Sequence, residues 1–228
     1  MQDLDRAIRA TVSDVRFEGY RRAPTETVAD LLPRYVWNMA LSEALYPTLQ
    51  ALEIALRNRI NEAAAVEFDD PWWLERTPLM NPRELASVTT VKAELTRRGK
   101  PVEVGRVVAE LTFGFWTSLF DRRYERVLWP KLLRSAFPWM PRRQRTRQEL
   151  SRRFTAIRHL RNRVFHHEPI WHWRDLAQQH TGLVDVLGWM NPEFRDLTVL
   201  LDRFPMVYGE GVDGYERRLE EFLDTRRK

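Results

Sequence analysis

The sequence predicts an all-α fold, on three observations. Apolar residues recur at three- and four-residue steps, as in Leu49, Leu52, Leu56, Ile60 and Ala63, and again in Leu150, Phe154, Ile157 and Val164. That spacing lines one face of a helix. No stretch alternates apolar and polar residues as a half-buried strand would. Glycine, proline and Asn-Pro pairs fall between the periodic segments, where they start and stop helices. The short connections favour antiparallel neighbours, hence a helical bundle.

In order, a short helix is expected over Leu4–Phe17, ended by Gly19, with Pro24 and Pro33 bracketing a linker. Residues 1–33 therefore read as an N-terminal helical extension and 34–228 as the main helical domain. A helix over 34–46 is interrupted or restarted by Pro47, which suits the first turn of a strong amphipathic helix over roughly 47–67. Asp69-Asp70-Pro71-Trp72-Trp73 is a turn whose tryptophans anchor a loop to the core. Asn81-Pro82 opens a helix of about 83–98, stopped by Gly99 and Pro101. Val104–Leu111 is apolar with interspersed charges, and Leu111–Phe120 is a buried turn into a helix. Residues 121–136 continue helically with Pro130 as a break, and Phe137–Pro141 is a rigid connector. Residues 142–168 form the long basic helix. Trp171–Leu187 is helical and closed by Gly188, and Asn191-Pro192 begins a helix to about Phe204. Pro205–Gly214 is a loop, and Tyr215–Arg227 a last amphipathic helix.

Composition narrows the class. At 228 residues and 43% hydrophobic, the chain can bury a real core, and 30% charged residues solvate its surface. The net charge is +5, carried by 33 arginines against 4 lysines. Arginine suits bidentate phosphate contact and base stacking, which leans towards nucleic acid. A genome-wide arginine bias gives the same composition. The absence of cysteine removes disulfides, thiolate nucleophiles and cysteine-based zinc sites. Met1–Asp5 lacks the basic and apolar runs of a signal peptide, and no apolar run is long enough for a membrane span, so a cytoplasmic protein is expected. Acidic residues show no metal-ligand spacing, so neither a metal nor another cofactor is expected.

The densest chemistry lies in Leu160-Arg161-Asn162-Arg163-Val164-Phe165-His166-His167, at the end of the basic helix and just before Pro169. Nine arginines stand against one acid, Glu149, between Arg142 and Arg163. On an ideal helix with Leu150 at zero, Phe154, Ile157 and Val164 fall within about 40° of it, and Arg161 at about 20° sits among them. Asn162 and His166 fall at about 120° and 160° and share another face. Pro169 disfavours helix at Glu168, so the helix is expected to bend or end there, with Arg161 in a cleft or at a subunit interface. Histidine can move protons at neutral pH, and arginine can stabilise a phosphorane-like dianion. Asn162 can orient either group. One arginine and one histidine are few for RNA hydrolysis, and two copies meeting across a dimer would double them. Simple capping of a helix C-terminus by Arg161 and His166 accounts for the same residues.

Arg161-Asn162-x-x-x-His166 resembles the Arg-x4–6-His motif of HEPN-domain ribonucleases. The whole stretch, with Trp171 after it, resembles the Abi-like (abortive infection) branch of that superfamily. Leu52-Glu53-Ile54-Ala55-Leu56-Arg57-Asn58 and Leu111-Thr112-Phe113-Gly114-Phe115-Trp116 agree in order and spacing, so the likeness covers roughly residues 40–190. Val164-Phe165 departs from it, since smaller residues are usual there. The resemblance implies a HEPN-like bundle, a homodimer with a composite active site, and metal-independent cleavage of RNA to 2′,3′-cyclic phosphate and 5′-OH ends. It implies a role in phage defence or as the toxin of a toxin–antitoxin pair, with a protein or RNA antitoxin as partner. By position, Arg161 would bind the scissile phosphate, His166 would act as general acid and base, and Asn162 would orient. Arg57, Arg158, Arg163, His167 and Trp171 are candidate RNA-binding residues, although Arg57 equally fits an ion pair with Glu53. A non-catalytic RNA-binding or regulatory module, with Trp171 or Trp173 stacking on bases, is the alternative. A helical interaction protein using Trp72, Trp73 and Trp139 is a third.

Overall fold

The structure is a computed structural model and describes residues 2–76 and 78–225. Among these residues every regular element is helical. The elements are α1 (Gln2–Val12), α2 (Asp14–Glu18), α3 (Val28–Phe68), α4 (Pro82–Arg97), α5 (Val104–Glu110), α6 (Phe113–Ser118), α7 (Trp129–Ala136), α8 (Arg147–Phe165), α9 (Leu176–Met190), α10 (Pro192–Val199) and α11 (Phe204–Thr225), with 3-10 turns at Trp73–Glu75 and Arg122–Tyr124. The chain gathers into two compact units. One comprises Met1–Pro47, Leu160–His180 and Leu201–Lys228, and the other Thr48–His159 and Thr181–Leu200.

In the first unit, Phe17, Tyr20, Leu31, Leu41, Leu45, Leu160, Val164, Ile170 and Phe204 are buried. Polar groups are threaded through this core. Arg34 is buried, paired with Glu26, and its Nη2 donates to Asp30 O at 2.9 Å. The Arg34 guanidinium and the Arg22 amide hold the Glu26 carboxyl down at about 2. Burial, reinforced by neighbouring Tyr35, pushes the Tyr20 hydroxyl up to about 12. Trp37 Nε1 donates to Val207 O at 3.0 Å. His180 Nε2 lies 2.9 Å from Asp202 Oδ2, and its ring stacks on Phe204 at 4.3 Å.

The second unit is built round stacked aromatics. Phe120 lies 4.5 Å from Trp129 and 4.6 Å from Phe154, centroid to centroid, with both pairs stacked. Trp73 is fully buried and donates from Nε1 to Asn61 Oδ1 at 3.0 Å, the loop-anchoring role its turn suggested. Glu84 is buried, and its two oxygens accept from Ser118 Oγ and Tyr124 OH, both at 2.9 Å. Burial and that carboxylate raise the Tyr124 hydroxyl to about 12.

Several boundaries differ from the sequence reading. Helix α3 runs unbroken through Pro33 and Pro47, where a break had been expected. Leu41, Leu45, Leu49 and Leu52 are all buried on either side of Pro47, so continuous packing offsets the hydrogen bond that proline removes. The first helix splits at Ser13, whose φ of 72° is not helical. Pro130 lies in the first turn of α7, where it starts a helix and does not break one. Helix α8 begins at Arg147, five residues later than expected, because Thr146 Oγ1 accepts from Glu149 N at 3.1 Å and caps it there. Residues 171–175 are turns, and α9 starts only at Leu176. Helix α10 stops at Val199, short of the expected Phe204. Pro205–Gly214 is not a loop but belongs to α11, with Gly211 at φ 64° absorbing the kink. The expected end at Arg227 lies outside the described residues.

Candidate active site at the end of α8

Leu150, Phe154, Ile157, Leu160 and Val164 are buried along α8, as the helical wheel requires. Asn162 and His166 are exposed, one turn apart, and His166 N donates to Asn162 O at 2.9 Å. The helix then stops, as Pro169 foretold. His167 N donates to Val164 O at 3.1 Å, and Glu168 N to Arg163 O at 2.8 Å. His167 sits in the left-handed region at φ 57°. Together these are the Schellman ending of a helix, in which glycine normally occupies the left-handed position. A side chain there costs about 1–2 kcal/mol. Such strain concentrates where a structure must aim particular groups.

Arg161 is half-buried among the residues of the apolar stripe, its guanidinium 4.2 Å from the Phe165 ring centroid. Phe165 in turn stacks on Tyr46 at 5.7 Å. Arg161 thus packs on Phe165, while His166 lies about 140° round the helix from it, on the face it shares with Asn162. Arg163 is drawn the other way, to Glu168 at 2.8 Å and towards the Trp173 ring at 5.9 Å. A cleft of about 860 Å³ opens beside this end, lined among others by Arg16, Met39, Tyr46, Phe165 and His167.

The other candidates are placed as follows. Arg158 is exposed one turn before Asn162 on the same helix face. Arg57 belongs to the second unit, where its Nη1 donates to Ala109 O at 3.1 Å. Trp171 is only 8% exposed. Its Nε1 donates to Gly19 O at 3.1 Å, Tyr20 stacks on it at 6.5 Å, and Arg22 lies 4.8 Å over its ring. It is therefore a wall of a second cleft of about 1200 Å³, with little face left for a base. His159 and His172 are exposed. Partial desolvation and the Arg163 charge hold His172 below the ordinary histidine range.

The basic stripe is largely committed to structure. Arg145 donates to Met140 O and Pro138 O, and Arg147 to Phe120 O. Arg152 and Arg153 share Glu149, and Arg153 also lies 4.6 Å over Trp189. Arg142, Arg143 and Arg158 remain on the surface. Among the described residues, no three His, Asp or Glu side chains gather into a set that could hold a metal ion. No described helix is long and apolar enough to cross a membrane.

Two residues that hold this end in place were not foreseen. Asn38, buried on α3, accepts at Oδ1 from Ile170 N at 2.7 Å and Trp171 N at 3.1 Å. Arg16 of α2 donates from Nη2 to the carbonyls of His167 and, at 3.4 Å, His166. Neither has a local signal, since both partners lie more than a hundred residues away. Comparison of the chain with protein-family models, with curated proteins and with solved structures finds no match.

Proposed function

We propose that the chain is a metal-independent endoribonuclease of the HEPN type, acting in phage defence or as the toxin of a toxin–antitoxin pair. The observation that carries the reading is the end of α8, where Asn162 and His166 stand exposed on one face, Arg161 packs on Phe165 in the same last turn, and a left-handed turn follows at His167. In the reaction, the ribose 2′-oxygen loses its proton to a histidine and attacks phosphorus. The P–O5′ bond breaks, and the 5′-oxygen takes a proton from a second imidazole. Arg161 stabilises the charge that builds on phosphorus, and Asn162 orients the groups. The second imidazole and arginine come from another copy of the chain. Support for self-association comes from Met39, Tyr46 and Phe165, which present exposed apolar surface beside the motif. A toxic nuclease requires restraint, so a protein or RNA antitoxin is a further expected partner.

End-group analysis tests the chemistry. RNA fragments carrying 2′,3′-cyclic phosphate and 5′-OH ends, and absent with Arg161→Ala, are the expected products. RNA that is bound but returned intact supports the other reading, a non-catalytic RNA-binding or regulatory module, which the surface positions of Arg142, Arg143 and Arg158 favour.

A further inference from the structure

The end of α8 is held by the N-terminal segment through three independent contacts. Arg16 donates to the His166 and His167 carbonyls. Gly19 lies so close to Pro169 that a Cβ on it would stand 2.7 Å from Pro169 Cγ. Gly19 O accepts from Trp171 Nε1, and Tyr20 stacks on the same indole. The last carbonyls of a helix have no partner within it and carry its negative end, so a guanidinium is a favoured cap. Water could satisfy those carbonyls equally well. What a fixed guanidinium adds is direction: it sets the planes of the two peptide groups that follow His166 and His167, and so the Cα–Cβ vectors of both imidazoles.

We propose that Arg16 is a positioning residue for His166. By gripping both carbonyls it fixes the left-handed turn that aims the His166 imidazole along the face it shares with Asn162. The proposal rests on the ribonuclease reading. It also gives the N-terminal segment a task, since α2 and Gly19 brace the motif they precede by some 150 residues.

The full chain, as wild type, Arg16→Gln and Arg16→Lys, is compared in single-turnover RNA cleavage and in amide hydrogen exchange at His167 and Glu168. Arg16→Gln is expected to lower kcat on the order of tenfold to a hundredfold, as small misplacements of a catalytic group do. KM should move by less than about twofold, since no ground-state contact is lost. Exchange at both amides speeds up, while amides of α4 keep their rates. Arg16→Lys, which keeps the charge and donors, recovers most of kcat. A folded Arg16→Gln with unchanged kcat, or with unchanged exchange, overturns the proposal. So does a rise in KM at constant kcat, which would make Arg16 a substrate contact. If Arg16→Gln unfolds, Arg16→Lys carries the test: any fall in kcat must come with faster exchange at both amides, and a fall without it is contrary. If the wild type itself leaves RNA intact, the ribonuclease reading fails separately, and exchange alone decides whether Arg16 holds the turn.

Discussion

Asn38→Ala is the sharpest test of how the first unit holds the segment after α8. One side-chain oxygen, 3% exposed as part of its residue, accepts two backbone N–H groups, those of Ile170 and Trp171. Both donors belong to buried residues, so water does not replace the lost acceptor without opening the core. A stranded buried donor costs about 1–3 kcal/mol, and two of them about 2–6 kcal/mol. Against a typical domain stability of about 5–15 kcal/mol, that is a large fraction. Asn38→Asp keeps the shape and the acceptor, and charge-assisted bonds to two N–H groups offset part of the burial cost. It is therefore expected to cost less than half as much as the alanine. Urea denaturation followed by tryptophan fluorescence measures both, and amide exchange at Ile170 and Trp171 locates the loss. An alanine variant destabilised by less than about 0.5 kcal/mol, the level of an ordinary surface change, refutes the reasoning. So does an aspartate variant as damaged as the alanine.

Two further outcomes follow from the same unit. His167→Gly should stabilise the protein by about 0.5–1 kcal/mol, because glycine removes the left-handed penalty but adds freedom to the unfolded chain; a loss of stability on denaturation would contradict the Schellman ending. Burial holds His180 below the ordinary histidine value of 6.5, with Asp202 partly opposing it. The unfolded chain then binds the proton first, so this contribution is full above about pH 6.5 and falls as pH drops from there towards the folded value. His180→Gln should flatten the decline of the thermal midpoint between pH 7.5 and 5, and an unchanged slope would exclude His180 as its source.

The helical class was legible because apolar spacing survives any tertiary detail. Asn81 and Asn191, each before a proline, announced caps that do accept from Arg83 N and Phe194 N. The end of α8 was legible from Pro169 alone. Pro33 and Pro47 misled because a local rule lost to packing on both sides of each. Pro205–Gly214 misled for the opposite reason: read as a loop, it is helical and continues into α11 across a kink at Gly211. At the site, the angular separation of Arg161 from Asn162 and His166 was readable, since it depends only on helical geometry. The bracing by Arg16, Gly19 and Asn38 was not, since long-range contacts to backbone carbonyls and amides leave no periodic trace.

The most direct measurement is cleavage of total RNA and tRNA in excess EDTA by the wild type beside His166→Ala. Fragmentation by the wild type, lost in a variant that keeps its helical content and thermal midpoint, is the predicted result. Equal cleavage by the two proteins, persisting in Arg161→Ala, would contradict the assignment of the α8 end as the active site.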